Sequence, residues 1–127
     1  MLFNVFAEQF PNWFQDHVTR LQTEPQYLTG FTSAVAMVPL DVWENSPKWK
    51  QTARFRRLLN TACERCQSRE ALQVHHKTYK HLGAEILYPG DLEVLCRTCH
   101  ALVHHTMLFP ADRCRPVSQM VLRYRPQ

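Results

Sequence analysis

Apolar positions Leu2, Phe3, Phe6, Phe10, Trp13, Phe14, Val18 and Leu21 recur at intervals of three and four along residues 1–24. That period lines one face of an amphipathic helix, with Pro11 as the point where it would reset. Such a face wants a partner surface. Residues 25–47 have no clean period and hold Gly30 and Pro39, so they read as loops with one short strand or turn around Val35 to Leu40. Ser46 followed by Pro47 matches a helix cap and first turn, and Lys48 to Asn60 carries Trp49, Ala53, Phe55, Leu58 and Leu59 among good helix formers. A basic helix should therefore lead into Cys63. Beyond Cys66 the polar stretch Gln67 to Glu70 predicts a turn, and Leu72 and Val74 alternate as a short strand ending at His75 and His76. Lys77 to Gly90, with Gly83, Pro89 and Gly90, is too irregular for a single element. Leu92, Val94 and Leu95 predict a second strand, and Arg97 to Leu108 a helix that stops before Pro110. The order is strand, long loop, strand, helix.

Composition narrows the class. A chain of 127 residues with 45% hydrophobic content is the size of one domain with an ordinary core. No stretch approaches the roughly 18 uninterrupted apolar residues of a membrane span, since Pro39 and Asp41 cut the longest candidate. Met1 to Phe10 carries Asn4 and Glu8, has no basic lead and does not read as a secretory signal. The expectation is a protein of the cytoplasm with no membrane partner. The formal charge is +4, but the basic residues are clustered. Lys48, Lys50, Arg54, Arg56 and Arg57 occur with no acid between Glu44 and Glu64, and Arg113, Arg115, Arg123 and Arg125 mark a tail whose only acid is Asp112. Alone, such runs are as well explained by a solvated face as by a phosphate grip.

The cysteines are more specific. In a reducing compartment, paired Cys-x-x-Cys units usually hold metal rather than disulfides. Cys63 with Cys66 and Cys96 with Cys99 make two such units, and Cys114 stands apart. A two-residue gap turns the backbone tightly enough to put both sulfurs on one ion, and two knuckles complete a tetrahedral zinc shell. A redox pair or buried free thiols is the rival reading. A shell of four thiolates leaves no position for water or phosphate, so this zinc would be structural. Its function would be to close the loop that contains His75 and His76.

That closure concentrates histidines. His76 lies ten residues after Cys66 and His100 directly follows Cys99, so the staple draws the two segments together. On a helix, His100 and His104 lie about 40° apart around the axis and one turn apart, a chelating pair, whereas His105 points away. His75 and His76 can serve one site only if the strand ends there, because adjacent strand residues face opposite sides. His17, His81 and His105 read as ordinary hydrogen-bonded histidines.

Three runs carry a resemblance: Cys-Glu-Arg-Cys at 63–66, Val-His-His-Lys at 74–77, and Asp-Leu-Glu-Val-Leu-Cys-Arg-Thr-Cys-His at 91–100. In this order they resemble the HNH endonucleases with zinc knuckles, a branch of the ββα-metal nucleases. The likeness covers about a third of the chain, and the first 45 residues or so have no counterpart in it. It implies that His75 is a ligand of a catalytic divalent metal, His76 the general base, His100 a second ligand and His104 a further one. Asp91 stands where the family has asparagine, the residue that braces the loop presenting the base. Aspartate still accepts hydrogen bonds, but it adds negative charge beside a metal and a phosphate.

The chemistry suits those residue types. A phosphodiester repels hydroxide, so hydrolysis needs a water deprotonated in place and a cation to offset charge on the phosphate and the leaving 3′ oxygen. Magnesium or manganese would be the working ion, while several imidazoles also favour nickel or zinc in a purified sample. Arg54, Arg56 and Arg57 are the first expectation for DNA backbone contacts. Lys77, Tyr79 and Arg97 are further candidates, with exposed surface as their plainer reading.

The fold class expected is α+β: a small ββα-metal (HNH) core stapled by a four-cysteine zinc, with an N-terminal mainly helical extension. The expected divisions are a helical and loop extension over 1–47, a zinc-stapled nuclease core with its basic lead-in helix over 48–110, and a basic tail over 111–127. The function expected is metal-dependent endonucleolytic hydrolysis of DNA, duplex in the first instance. Its rival is a non-catalytic zinc module that binds nucleic acid or protein, with Asp91 as its main support. An adaptor docking through Phe3, Phe6, Phe10, Trp13 and Phe14 is a third reading, although those side chains fit an internal core better. The oligomeric state, monomer or homodimer, stays open at this level.

Overall fold

The structure, a computed structural model, describes residues 2–105, apart from the side chain of His105. The expected basic tail, Cys114 and the end of the last helix at Leu108 lie outside the described residues. The fold is mixed helix and sheet: α1 (Phe3–Phe6), α2 (Asn12–Thr23), α3 (Pro25–Ala36), α4 (Leu40–Glu44) and α5 (Pro47–Leu59) precede β1 (Leu72–His76), β2 (Leu92–Cys96) and α6 (Arg97–His105). β1 and β2 form a two-stranded antiparallel sheet. Among the described residues no helix is long and apolar enough to cross a membrane.

The described chain divides into two compact units, one of residues 2–56 with 76–92 and one of residues 57–75 with 93–105. In the first, the aromatic period of the N-terminus finds its partner within the chain. Phe3, Phe10 and Phe14 are buried and their rings meet one another, and those of Phe3 and Phe10 also meet Phe55 of α5, with Phe3 and Phe55 centroids 5.6 Å apart. Trp13 stays half exposed. The core reading of these aromatics therefore accounts for most of the face that an adaptor would have used.

Residues 25–47, expected as loops with a short strand or turn, are instead two helices, α3 and α4. Pro25 sits in the first turn of α3, where its missing N–H costs nothing, and a Cβ at Gly30 would meet no atom within 4 Å, so no close approach demands glycine there. Leu28, Phe31 and Val35 share one face of α3; Phe31 meets His17 of α2 at 4.7 Å and Trp43 of α4 at 5.7 Å. Tertiary packing thus supplies what the weak local period lacked. Ser46 caps α5 as expected, its Oγ accepting the Trp49 N–H at 3.2 Å.

Gly83 has φ of +91°, and a Cβ there would lie 3.1 Å from Cγ2 of Val35. Only glycine fits this turn without strain. Short 3-10 turns at Glu85–Leu87 and Pro89–Asp91 follow it, so the long loop is ordered by its own backbone.

In the second unit, Leu95, Leu102, Leu72 and Val103 pack around the cysteine side chains. Gln67 adopts φ of +67°, the left-handed turn that closes the first knuckle, and its N–H reaches the Cys63 carbonyl at 2.9 Å.

Candidate metal centre and histidine site

Cys63 and Cys66 come from the turn after α5, Cys96 ends β2 and Cys99 lies in the first turn of α6. Their ligand atoms all lie within 4.8 Å of one another. The Sγ atoms of Cys66 and Cys96 are 3.6 Å apart. Two sulfurs at about 2.3 Å from a tetrahedral zinc would be about 3.8 Å apart, so the four positions fit that ion. Backbone N–H groups point at the sulfurs, from Arg65 to Cys63 and from Cys99 to Cys96, each at 3.4 Å. These bonds favour the thiolate that a metal needs. Without an ion, burial above all pushes the Cys66 thiol up to about 12, and zinc would replace its proton. The donor set is therefore compatible with structural zinc.

His75, His100 and His104 form a second group whose ligand atoms lie within the same 4.8 Å limit. His75 comes from β1, and His100 and His104 sit one turn apart on α6. The two Nε2 atoms on the helix are 2.9 Å apart. That is about the separation of two nitrogens bound at about 2.1 Å to one ion. Burial first, then the neighbouring His104 and His75, pushes the His100 imidazole down to about 4, which keeps it in the neutral form that binds metal. His100 and His104, paired by spacing, lie together, and His75 joins them as a third potential donor.

His76 has different surroundings. Its side chain is 1% exposed, with Nε2 2.7 Å from Oε2 of Glu85 and Nδ1 3.4 Å from Oε2 of Glu44. Trp49 stacks on one side of the ring at 4.7 Å and Tyr79 at 4.8 Å. Glu85 is itself buried and also accepts from Trp43 Nε1 at 3.0 Å and from the Gly83 N–H at 2.9 Å. None of Glu44, Trp43 and Glu85 was among the residues singled out from sequence, and Trp49 was read only as an apolar helix position. The available signal was Glu85 itself, a single carboxylate in the apolar run Ala84 to Leu87, where burial demands donors.

Asp91 makes hydrogen bonds with the loop through both its backbone and its side chain. Its carbonyl accepts the Lys77 N–H at 2.8 Å, immediately after His76, and Oδ2 lies 2.6 Å from Nδ1 of His81. His81 in turn stacks on Tyr88 at 3.5 Å. The carbonyl bond is indifferent to an aspartate in place of asparagine.

The basic residues separate. Arg56, expected at DNA, is buried, and its guanidinium donates to the carbonyls of Pro89 at 3.0 Å and Leu92 at 3.2 Å. A side chain so placed ties α5 to the turn before β2. Arg54 reaches the Gln9 carbonyl at 2.8 Å and lies over Phe10, so it too has internal work. Arg57 is half-buried, while Lys77 and Arg97 are exposed.

Residues 63–106 match the family model of HNH endonuclease. This segment, about a third of the chain, is similar to HNH endonuclease domains, which points to a nuclease-type function. HNH nucleases act on nucleic acid, and the matched segment resembles them. No curated protein and no solved structure matches the chain.

Proposed function

We propose that the protein is a divalent-metal-dependent DNA endonuclease. The observation that carries this reading is the group His75, His100 and His104, three imidazoles able to hold one ion beside a separate four-cysteine shell. Magnesium or manganese is the working ion in this reading, and nickel or zinc would compete for the imidazoles. When bound, the ion supplies positive charge to the scissile phosphate and the leaving 3′ oxygen. His76 is the general base: it takes a proton from the attacking water, whose oxygen bonds phosphorus as the bond to the 3′ oxygen breaks. Asp91 holds the turn that follows His76 through the Lys77 N–H.

Duplex DNA is the proposed substrate, gripped through phosphates by Lys77, Arg97 and Arg57 rather than by Arg56. The four thiolates suit a reducing interior, which supports a cytoplasmic setting.

The burial of His76 favours a second reading, a zinc module that binds nucleic acid without cutting it. Nicking of supercoiled plasmid with magnesium or manganese separates the two. Metal-dependent nicking that is lost in His76→Ala supports the enzyme. DNA binding with no cleavage under any ion supports the module, and unchanged nicking by His76→Ala sinks the base assignment.

A further inference from the structure

Glu85 is 1% exposed and surrounded by donors. A backbone N–H and an indole N–H can only donate, so the bonds from Gly83 to Oε1 and from Trp43 to Oε2 hold the carboxylate as an acceptor in a fixed orientation. Its Oε2 also lies 2.7 Å from Nε2 of His76. In the neutral ring, an acceptor oxygen so engaged takes its hydrogen from Nε2, which leaves the lone pair on Nδ1. The stacked rings of Trp49 and Tyr79, inclined at 17° and 30° to the imidazole, keep it from tipping out of that plane. The Nδ1 edge faces Glu44, whose side chain is 38% exposed, whereas the Nε2 edge faces the buried interior.

We propose that Glu85 is the positioning residue of the active site: it holds His76 as the Nε2–H tautomer, so that Nδ1 is the atom that takes the proton from water. This rests on His76 being the base. Trp43 and Gly83 act one step further out, by fixing Glu85. The logic is that of a carboxylate orienting a catalytic histidine, where the wrong tautomer presents a hydrogen in place of a lone pair.

Nitrogen NMR of the zinc-loaded wild-type protein reads the ring directly: Nε2 protonated and Nδ1 bare is expected, and the reverse overturns the proposal. Glu85→Gln nearly preserves shape but can turn a donor toward Nε2. It should keep its zinc and its melting temperature within a few degrees, move the His76 hydrogen to Nδ1, and slow single-turnover plasmid nicking by about 10²-fold or more. The DNA concentration for half-maximal rate should not change, a split that a loosened fold would not produce. If His76→Ala is inactive but folded Glu85→Gln nicks at the wild-type rate, the positioning role falls and the base survives. If His76→Ala nicks normally, or the wild type nicks under no ion, both fall. Should Glu85→Gln fail to fold, the wild-type tautomer decides.

Discussion

Nε2 of His100 and Nε2 of His104 stand 2.9 Å apart on one face of α6. Two neutral imidazoles at that distance need a shared hydrogen or a shared cation, and His75 beside them favours the cation. Replacing His100 with alanine should weaken nickel or manganese binding at this site by at least about 10-fold, as read by calorimetric titration. Zinc held by the cysteines should be unchanged in the same protein. Loss of both metals together would mean that the two groups do not bind independently.

The cysteine shell makes the complementary prediction. Cys96→Ser, or prolonged chelation of the reduced protein, should remove the structural zinc and unfold the segment around Leu95 and Leu102, which packs on the cysteines. Elemental analysis alongside circular dichroism checks this. A zinc-free protein with an unaltered melting curve would contradict a structural role.

Arg56 should behave as a core residue. Arg56→Ala leaves the Pro89 and Leu92 carbonyls without their donors and should cost about 2–4 kcal/mol in urea unfolding. Arg56→Lys should recover little, because a single ammonium does not reproduce the guanidinium fork. Lys77→Ala should do the opposite, leaving stability intact while weakening DNA binding and flattening its salt dependence by about one unit of slope. A stable Arg56→Ala protein with impaired DNA binding would reverse the assignment.

His17 sets a pH limit. Burial first, then the charges of Lys48 and Arg20, lowers its pKa from 6.5 to about 4. In the neutral ring Tyr27 donates its hydroxyl hydrogen to Nδ1, with the two atoms 2.7 Å apart. The unfolded chain takes up this proton at higher pH than the folded one, so the His17 contribution is complete above about 6.5 and is lost as pH falls toward 4. On the order of 2 kcal/mol is at stake. The stability difference between wild type and His17→Phe should change across that window and stay flat above it.

Much of the candidate site was legible because its spacing is local. Two residues between cysteines make a knuckle and three residues between helical histidines make a chelating pair, whatever surrounds them. The N-terminal aromatics were legible for the same reason, their period of three and four surviving into a packed helix face. Residues 25–47 were not, since Phe31 and Val35 declare a helix only against His17, Trp43 and the Gly83 turn.

By itself, the sequence pointed to the two groups of potential metal ligands, the strand, loop, strand and helix order that carries them, and the likeness to HNH endonucleases. Tertiary structure alone decided which partner each remaining polar side chain meets. It assigned Arg56 to two backbone carbonyls and His76 to Glu85, a choice made across 33 and 9 residues of chain respectively. Local spacing cannot encode such pairings, because a buried donor or acceptor takes whichever complement the folded backbone brings within hydrogen-bond reach.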